Sequence, residues 1–277
     1  MQHLILIYCK TDAEKNRGYI DMYEQQCKRR GLEFSLKTVG DPGCGVTDYP
    51  ALIKDLTPQD SIVINRSRLP RLTRCLEEQG ITVYNNSLIA ELGNDKLKAI
   101  RYMEQLGVPV MKSYTEPPKA YPYVLKTVDG HGGSEVFLIN NEDDLKHNSQ
   151  TLSGRQLIYQ EYCDTPGRDK RIYIVGNKVA AVMLRSSSGD FRSNYSLGGN
   201  AEISELTDEE RKITDTILSD LTIGHAGIDL IYHNGHPVFN ELEDVVGSRM
   251  LYRYTDIDVV DLFMDHIFPE TASAGKP

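Results

Sequence analysis

The sequence predicts an α/β protein in two parts: an N-terminal open parallel-sheet domain, then a longer region of α+β character. Three observations carry this. Short apolar runs alternate with helical patterns up to residue 84, as parallel strands joined by crossovers do. Two hairpin signals, Gly176-Asn177 and Asn234-Gly235, lie between later apolar runs. A Gly-rich segment, Gly130-His131-Gly132-Gly133, separates two further strand candidates.

Taken in order, Leu4–Cys9 is a buried first strand. Asp12–Arg30 is a helix with Tyr19, Ile20, Tyr23 and Cys27 near helical spacing, stopped at Gly31. Glu33–Thr38 is a second strand, and Asp41-Pro42-Gly43 opens a loop. Ser61–Asn65 is a strand, Leu69–Gln79 a helix ending at Gly80, and Ile81–Tyr84 a strand. Beyond these, Asn94–Leu106 reads as a helix. Thr115–Tyr121 is a proline-rich connection, and Tyr123–Thr127 and Val136–Ile139 flank the glycines. Leu157–Tyr162, Arg171–Val175 and Lys178–Leu184 follow as strands. Thr207–Leu221 is a helix with a capping box, Thr207 and Glu210. Gly227–Tyr232 and Pro237–Leu242 form the last hairpin, and Val259–Ile267 a closing helix. The expected organisation is residues 1–88, 89–157 and 158–268, with a disordered tail at 269–277.

The length of 277 residues allows two domains or one large unit with subdomains. With 40% hydrophobic and 26% charged residues, the chain can bury a large core unaided. A net charge of −9 argues against general nucleic-acid binding, which needs clustered Lys and Arg. Cys9, Cys27, Cys44, Cys75 and Cys163 show no zinc-type spacing and read as free thiols of a reducing compartment. No run approaches the about 20 apolar residues of a membrane span, and the first residues lack the marks of a signal peptide. A cytoplasmic protein with no membrane or nucleic-acid partner is expected.

Three groups of residues could carry chemistry. Glu241 and Glu243 are two apart on a strand and face the same way, and Asp229 can join them from the neighbouring strand. Three converging carboxylates suit a hard, oxygen-seeking cation, above all magnesium with nucleotide phosphates. Glycines at 130–133, Gly132 and Gly133 among them, let backbone N–H groups approach phosphate, with Lys126 just before them and Lys96 as a second cation. The segment is neither a P-loop nor a dinucleotide fingerprint. Arg171, Arg185 and Arg192 on one side of a sheet suggest an anion pocket; the alternative is salt bridging to nearby acids. Arg192, with no long helix to pair along, leans toward a ligand. His131 reads as a solvated loop histidine, and no covalent nucleophile is evident.

The segments fall into a known order, and the chain resembles the RimK-like branch of the ATP-grasp superfamily over about residues 84–268. The resemblance rests on Asn85-Asn86-Ser87, Asn94-Asp95-Lys96, Val124-Leu125-Lys126 before the glycines, and Gln160-Glu161-Tyr162. It continues through Gly167-Arg168-Asp169-Lys170-Arg171, Asp190–Asn194 with Gly198-Gly199, Gly227-Ile228-Asp229-Leu230, and Glu241-Leu242-Glu243.

What the resemblance implies is an N-terminal α/β domain followed by two ATP-grasp lobes closing on ATP. Lys96 and Lys126 would contact its phosphates. Gln160, Glu161, Tyr162 and Cys163 would form the adenine hinge, with Glu161 using its backbone and Tyr162 walling the ring. Asp169 would bind the ribose or nearby polar groups, with Arg185 among the nucleotide-binding residues. Arg171 and Arg192 would hold the acyl phosphate or a substrate carboxylate, and Asn194 would lie at the metal and phosphate site. Asp229, Glu241 and Glu243 would hold two Mg2+ ions, with Mn2+ as a substitute. The implied reaction phosphorylates a carboxylate and joins it to an amine, with a small molecule or peptide as substrate and a homodimer or homotetramer as assembly. Two departures stand out: Glu243 replaces the usual Asn, and Ser134-Glu135-Val136 lacks a further Gly common before Val. Arg249 is placed to contact a substrate. The alternatives are a non-catalytic ATP-binding sensor and a phosphotransferase that stops at a phosphorylated product.

Overall fold

The computed structural model describes residues 2–40, 49–187, 189–192 and 199–271. The loop expected at Asp41-Pro42-Gly43, the thiol of Cys44 and the candidate Asn194 lie outside the described residues. Strands β1 (His3–Cys9), β2 (Glu33–Val39), β3 (Ser61–Asn65) and β4 (Thr82–Tyr84) form one parallel sheet in the order β2-β1-β3-β4. Alternate residues of β1 serve two cores, as a period of two requires. Leu4, Leu6 and Tyr8 pack with the C-terminal helix, while Ile5 and Ile7 pack with Leu72 and Leu76.

Helices α1 (Lys10–Lys15) and α2 (Arg17–Arg30) replace the single helix expected over 12–30. The break is at Asn16, whose backbone and side-chain N–H groups both donate to Asp12 O. Gly31, at φ 68°, ends α2 as anticipated. Helices α3 (Tyr49–Ile53) and α4 (Pro70–Glu78) complete this part.

Helix α5 (Ser87–Asn94), absent from the sequence reading, precedes α6 (Lys96–Gln105). The side chains of Asn86 and Asp95 accept from Ile89 N and Lys98 N and cap the two helices. A second sheet, antiparallel, has the order β5-β8-β6-β7: β5 (Ser113–Tyr114), β6 (Tyr123–Thr127), β7 (Val136–Ile139) and β8 (Leu157–Glu161). Helix α7 (Glu142–Thr151) escaped sequence reading because none of its residues is buried and no apolar stripe marks it.

The third sheet is antiparallel, ordered β11-β10-β9-β12-β13. Its strands are β9 (Arg168–Val175), β10 (Lys178–Ser186), β11 (Asn200–Ile203), β12 (His225–His233) and β13 (His236–Glu243). Gly176 and Asn177, and Asn234 and Gly235, all have positive φ, the geometry of two-residue hairpin turns. Helix α8 (Asp208–Asp220) starts at the expected capping box. Glu210 of that box is buried and also receives Lys170 Nζ at 2.7 Å and Tyr232 OH at 2.6 Å, fastening α8 to β9 and β12.

Helices α9 (Arg249–Tyr254) and α10 (Val259–Ile267) close the fold, α10 with the bounds expected. Of the tail expected at 269–277, residues 272–277 lie outside the described residues. Pro269–Thr271 form a 3-10 turn, and Thr271 Oγ1 accepts from Arg30. Among the described residues no helix is long and apolar enough to cross a membrane.

Candidate active site

An open cleft of about 860 Å³ runs between the second sheet and the strands β12 and β13 of the third. Cross-strand register sets Asp229 opposite Glu241 and Gly227 opposite Glu243. Oxygens of Asp229, Glu241 and Glu243 all lie within 4.8 Å of one another. The three acids proposed from sequence therefore converge.

Their surroundings differ. Asp229 is buried. Arg171 Nε and Nη2 donate to its two oxygens at 2.8 and 2.6 Å, and Arg185 Nη2 adds a bond at 2.6 Å. Although burial opposes it, the two guanidiniums hold the Asp229 carboxyl down to about 2, so it is ionised. Glu241 lies 3.2 Å from Lys96 Nζ, and Lys96 and Lys126 lower its pKa against the effect of burial. Glu243 accepts from Arg171 Nη2 at 2.6 Å, yet burial and the charges of Asp229 and Glu241 raise its pKa. Close, desolvated carboxylates repel, and a bound cation relieves that repulsion.

Both lysines reach the cleft. Lys126, on β6, is buried, and Nζ donates to two neutral acceptors, Gln160 Oε1 at 3.0 Å and Asn240 Oδ1 at 3.4 Å. Burial drives its pKa down to about 8, with Lys96 pushing the same way and Glu241 opposing. It is a desolvated cation short of an anion. Lys96, at the start of α6, donates to Gly130 O and so links the Gly-rich segment to Glu241. Gly132 and Gly133 have φ of 69° and 79° and line the cleft.

Gln160, Glu161, Tyr162 and Cys163 line the cleft where β8 ends. Glu161 N donates to Lys112 O at 2.9 Å, and the Tyr162 ring meets Phe191 edge-on with centroids 6.2 Å apart. Burial raises the Cys163 thiol pKa.

The arginines all have acidic partners, as the salt-bridging alternative in the sequence reading has it. Arg185 does not line the cleft. Its Nε donates to Asp169 Oδ1 at 2.6 Å and its Nη2 reaches Asp229, so acids on β9 and β12 occupy it. Asp169, expected at a ribose, lines the cleft but gives its carboxylate to Arg185. Arg171 is likewise shared between Asp229 and Glu243. Arg192 does line the cleft, yet it has a local partner that spacing did not suggest. Nε and Nη2 go to Asp190, and Nη1 donates to Gly133 O at 2.7 Å. It ties the loop after β10 to the Gly-rich segment.

Several residues were missed. Asn240, between the two glutamates, points across to Lys126. Asp244 is buried next to Glu243. Asn85 Nδ2 donates to its Oδ1 at 2.7 Å, and Asn94 Nδ2 to its Oδ2 at 3.3 Å. The asparagines of Asn85-Asn86-Ser87 and Asn94-Asp95-Lys96 thus hold the turn that carries Glu243. His131 is half-buried in the cleft, not solvated. Burial, with Arg68 and Lys96 nearby, lowers its pKa to about 4, so the ring is neutral.

Comparison with known proteins agrees with this geometry. The family model of the RimK-like ATP-grasp domain matches residues 73–267. The chain belongs to the RimK-like ATP-grasp family. A relative, the probable alpha-L-glutamate ligase of Maridesulfovibrio salexigens, is 30% identical over 220 residues, 74% of this chain and 73% of its own. D-alanine–D-alanine ligase from Bacillus anthracis, solved with ATP, has a TM-score of 0.71 at 15% identity, covering 98% of this chain and 97% of that one. N5-carboxyaminoimidazole synthetase from Staphylococcus aureus, solved with ADP, has a TM-score of 0.72 at 14% identity, covering 100% and 78%. The second and third sheets are thus the ATP-grasp part of the fold, and this RimK-like protein uses ATP.

Proposed function

We propose that this RimK-like protein, an ATP-dependent carboxylate–amine ligase by family, is an ADP-forming acid–amino-acid ligase that works through an acyl phosphate. The observation that carries the reading is one cleft lined by Glu241, Glu243, Lys96, Lys126 and the Gly-rich segment, with buried Asp229 converging on the two glutamates from behind. A nucleotide lies between lobes 89–157 and 158–268, its phosphates against Lys96, Lys126 and the amides of Gly132 and Gly133. Asp229, Glu241 and Glu243 fit magnesium, since all the donors are hard oxygens within a single ion's reach. Bound magnesium would screen phosphate charge and polarise the transferring phosphoryl group.

The chain's own residues do the rest. Lys126, with only neutral acceptors, gains most from an arriving phosphate. Arg171 keeps Asp229 ionised and holds Glu243 beside it. Arg192 and Lys96 hold the Gly-rich segment over the cleft, which keeps water from an activated carboxylate. An amine then attacks and phosphate leaves, so no nucleophilic Ser or Cys is needed. The relative named above carries glutamate in its name, which makes L-glutamate the first amino acid to test, as acid and as amine.

ADP release is measured with magnesium, ATP and a panel of amino acids, peptides and amines, and the product is weighed by mass spectrometry. ADP together with an amide supports the reading; no ADP with any pair overturns it. Glu241→Gln should abolish ADP release with the unfolding temperature nearly unchanged. Normal turnover in that variant would remove the metal assignment.

A further inference from the structure

Arg66 follows directly on β3, at the carboxyl end of the parallel sheet, where open α/β sheets bind ligands. It is 6% exposed, and among the described residues no carboxylate pairs with it. Arginine is rarely buried without an anion, because a lone charge out of water is costly. Its Nη2 donates to Val246 O at 2.9 Å, and its other polar neighbours are neutral tyrosines. Asp244, the nearby acid, is already held by Asn85 and Asn94.

The surroundings are equally unsatisfied. Arg66 Nε is buried without a partner, the Tyr8 hydroxyl faces only the Arg66 side chain, and the hydroxyls of Tyr19 and Tyr23 face only each other. The guanidinium lies 4.9 Å from the Tyr19 ring centre and 5.7 Å from that of Tyr8. Buried polar atoms are seldom left short of partners, and here three hydroxyls gather around one cation. The guanidinium and the hydroxyls can each donate a hydrogen bond. The missing partner therefore accepts several bonds and carries negative charge. The cluster adjoins the acid site, since Val246, which receives Arg66, follows Asp244 and packs against Gly227 beside Arg171.

We infer that Arg66, with the hydroxyls of Tyr8, Tyr19 and Tyr23, binds the non-reacting carboxylate of a substrate whose other end reaches the acid cluster. This rests on the ligase reading and narrows it. One of the two substrates is an amino acid or short peptide with a carboxylate to spare, and a simple amine or monocarboxylic acid is not a complete pair.

Two measurements test it. Thermal unfolding of the full chain is followed with each free amino acid, with dialanine and with succinate, and again with the matching carboxamides. At least one carboxylate should raise the midpoint, its carboxamide should not, and Arg66→Met should lose the response. Removing an unpaired buried charge should leave the unliganded variant no less stable than the parent, whereas a merely structural arginine would destabilise on removal. If no carboxylate stabilises the parent, or Arg66→Met responds equally, the subsite is wrong whether or not ADP is formed. For any pair that turns over, KM for the substrate owning the carboxylate should rise roughly tenfold to a hundredfold in Arg66→Met, with KM for ATP unchanged. Whether the acid or the amine shows that rise identifies the source; no rise in either overturns the proposal. Should Arg66→Met fail to fold, Tyr19→Phe, which removes one hydroxyl, must still weaken the same substrate.

Discussion

Glu243 stands where the resemblance leads one to expect Asn, and its setting bears on what that exchange does. Its carboxylate meets Arg171 on one side and two acids on the other, and burial with those acids raises its pKa. Arg171 keeps both bonds to Asp229 without it. Glu243→Asn should therefore fold and release ADP at saturating magnesium. With one negative donor fewer, the magnesium needed for half-maximal rate should rise about tenfold. An unchanged magnesium dependence would show that Glu243 contributes no metal ligand. At this scale the sequence was informative about residue type and silent about partners. The Glu-x-Glu spacing placed two acids on one face correctly. Arg185 and Arg192 looked like free cations because their acids, Asp169 and Asp190, lie across a strand pair or two residues along a loop.

Elements with strong periodicity or turn chemistry were legible. Strand β1, the two positive-φ hairpins, the α8 capping box and α10 follow from local rules. Helix α7 and strand β11 were not. The helix buries nothing, and the strand is a four-residue edge of the sheet. Helix α5 carries a packing constraint that no local pattern reveals. A methyl group on Gly93 would sit 2.4 Å from Asp244 Cβ and 2.6 Å from its backbone nitrogen, so α5 presses on the turn behind Glu243. Gly93→Ala should cost about 1–3 kcal/mol in urea unfolding and slow ADP release. Gly18→Ala is the control. Nothing lies within 4 Å of its added carbon, and it should be neutral or stabilising, because alanine is the better helix former. Equal behaviour of the two variants would dismiss the contact.

For the molecule as a whole, one buried histidine far from the cleft sets part of the acid limit. His225 is 2% exposed, its Nδ1–H donates to Ile174 O at 3.0 Å, and burial lowers its pKa from 6.5 to about 4. Near neutral pH the ring is uncharged folded or unfolded. As pH falls below about 6.5 the unfolded chain takes up the proton first, so stability drops until about pH 4 and then levels off. Relative to His225→Gln, which cannot titrate, the wild type should lose about 3 kcal/mol of unfolding free energy between about pH 7 and pH 4. A difference independent of pH would assign acid sensitivity elsewhere.

The acids and bases of the cleft have a thermodynamic consequence when taken together. Asp169, Asp229, Glu241 and Glu243 interlock with Arg171, Arg185 and Lys96, while Lys126 stands beside them on neutral acceptors, so four acids and four bases share one place. Such a set is close to charge balance before anything binds. A bare polyphosphate or bare divalent ions would each upset that balance in a poorly hydrated place, while a triphosphate with the two ions implied for the site nearly cancels. Nucleotide and magnesium should therefore load as a unit, each raising the other's affinity by the same factor, about tenfold or more. Calorimetric titration of ATP with and without magnesium, and of magnesium with and without ATP, closes that cycle. Independent binding of the two would mean that the balance of charges in the cleft plays no part in choosing its ligands.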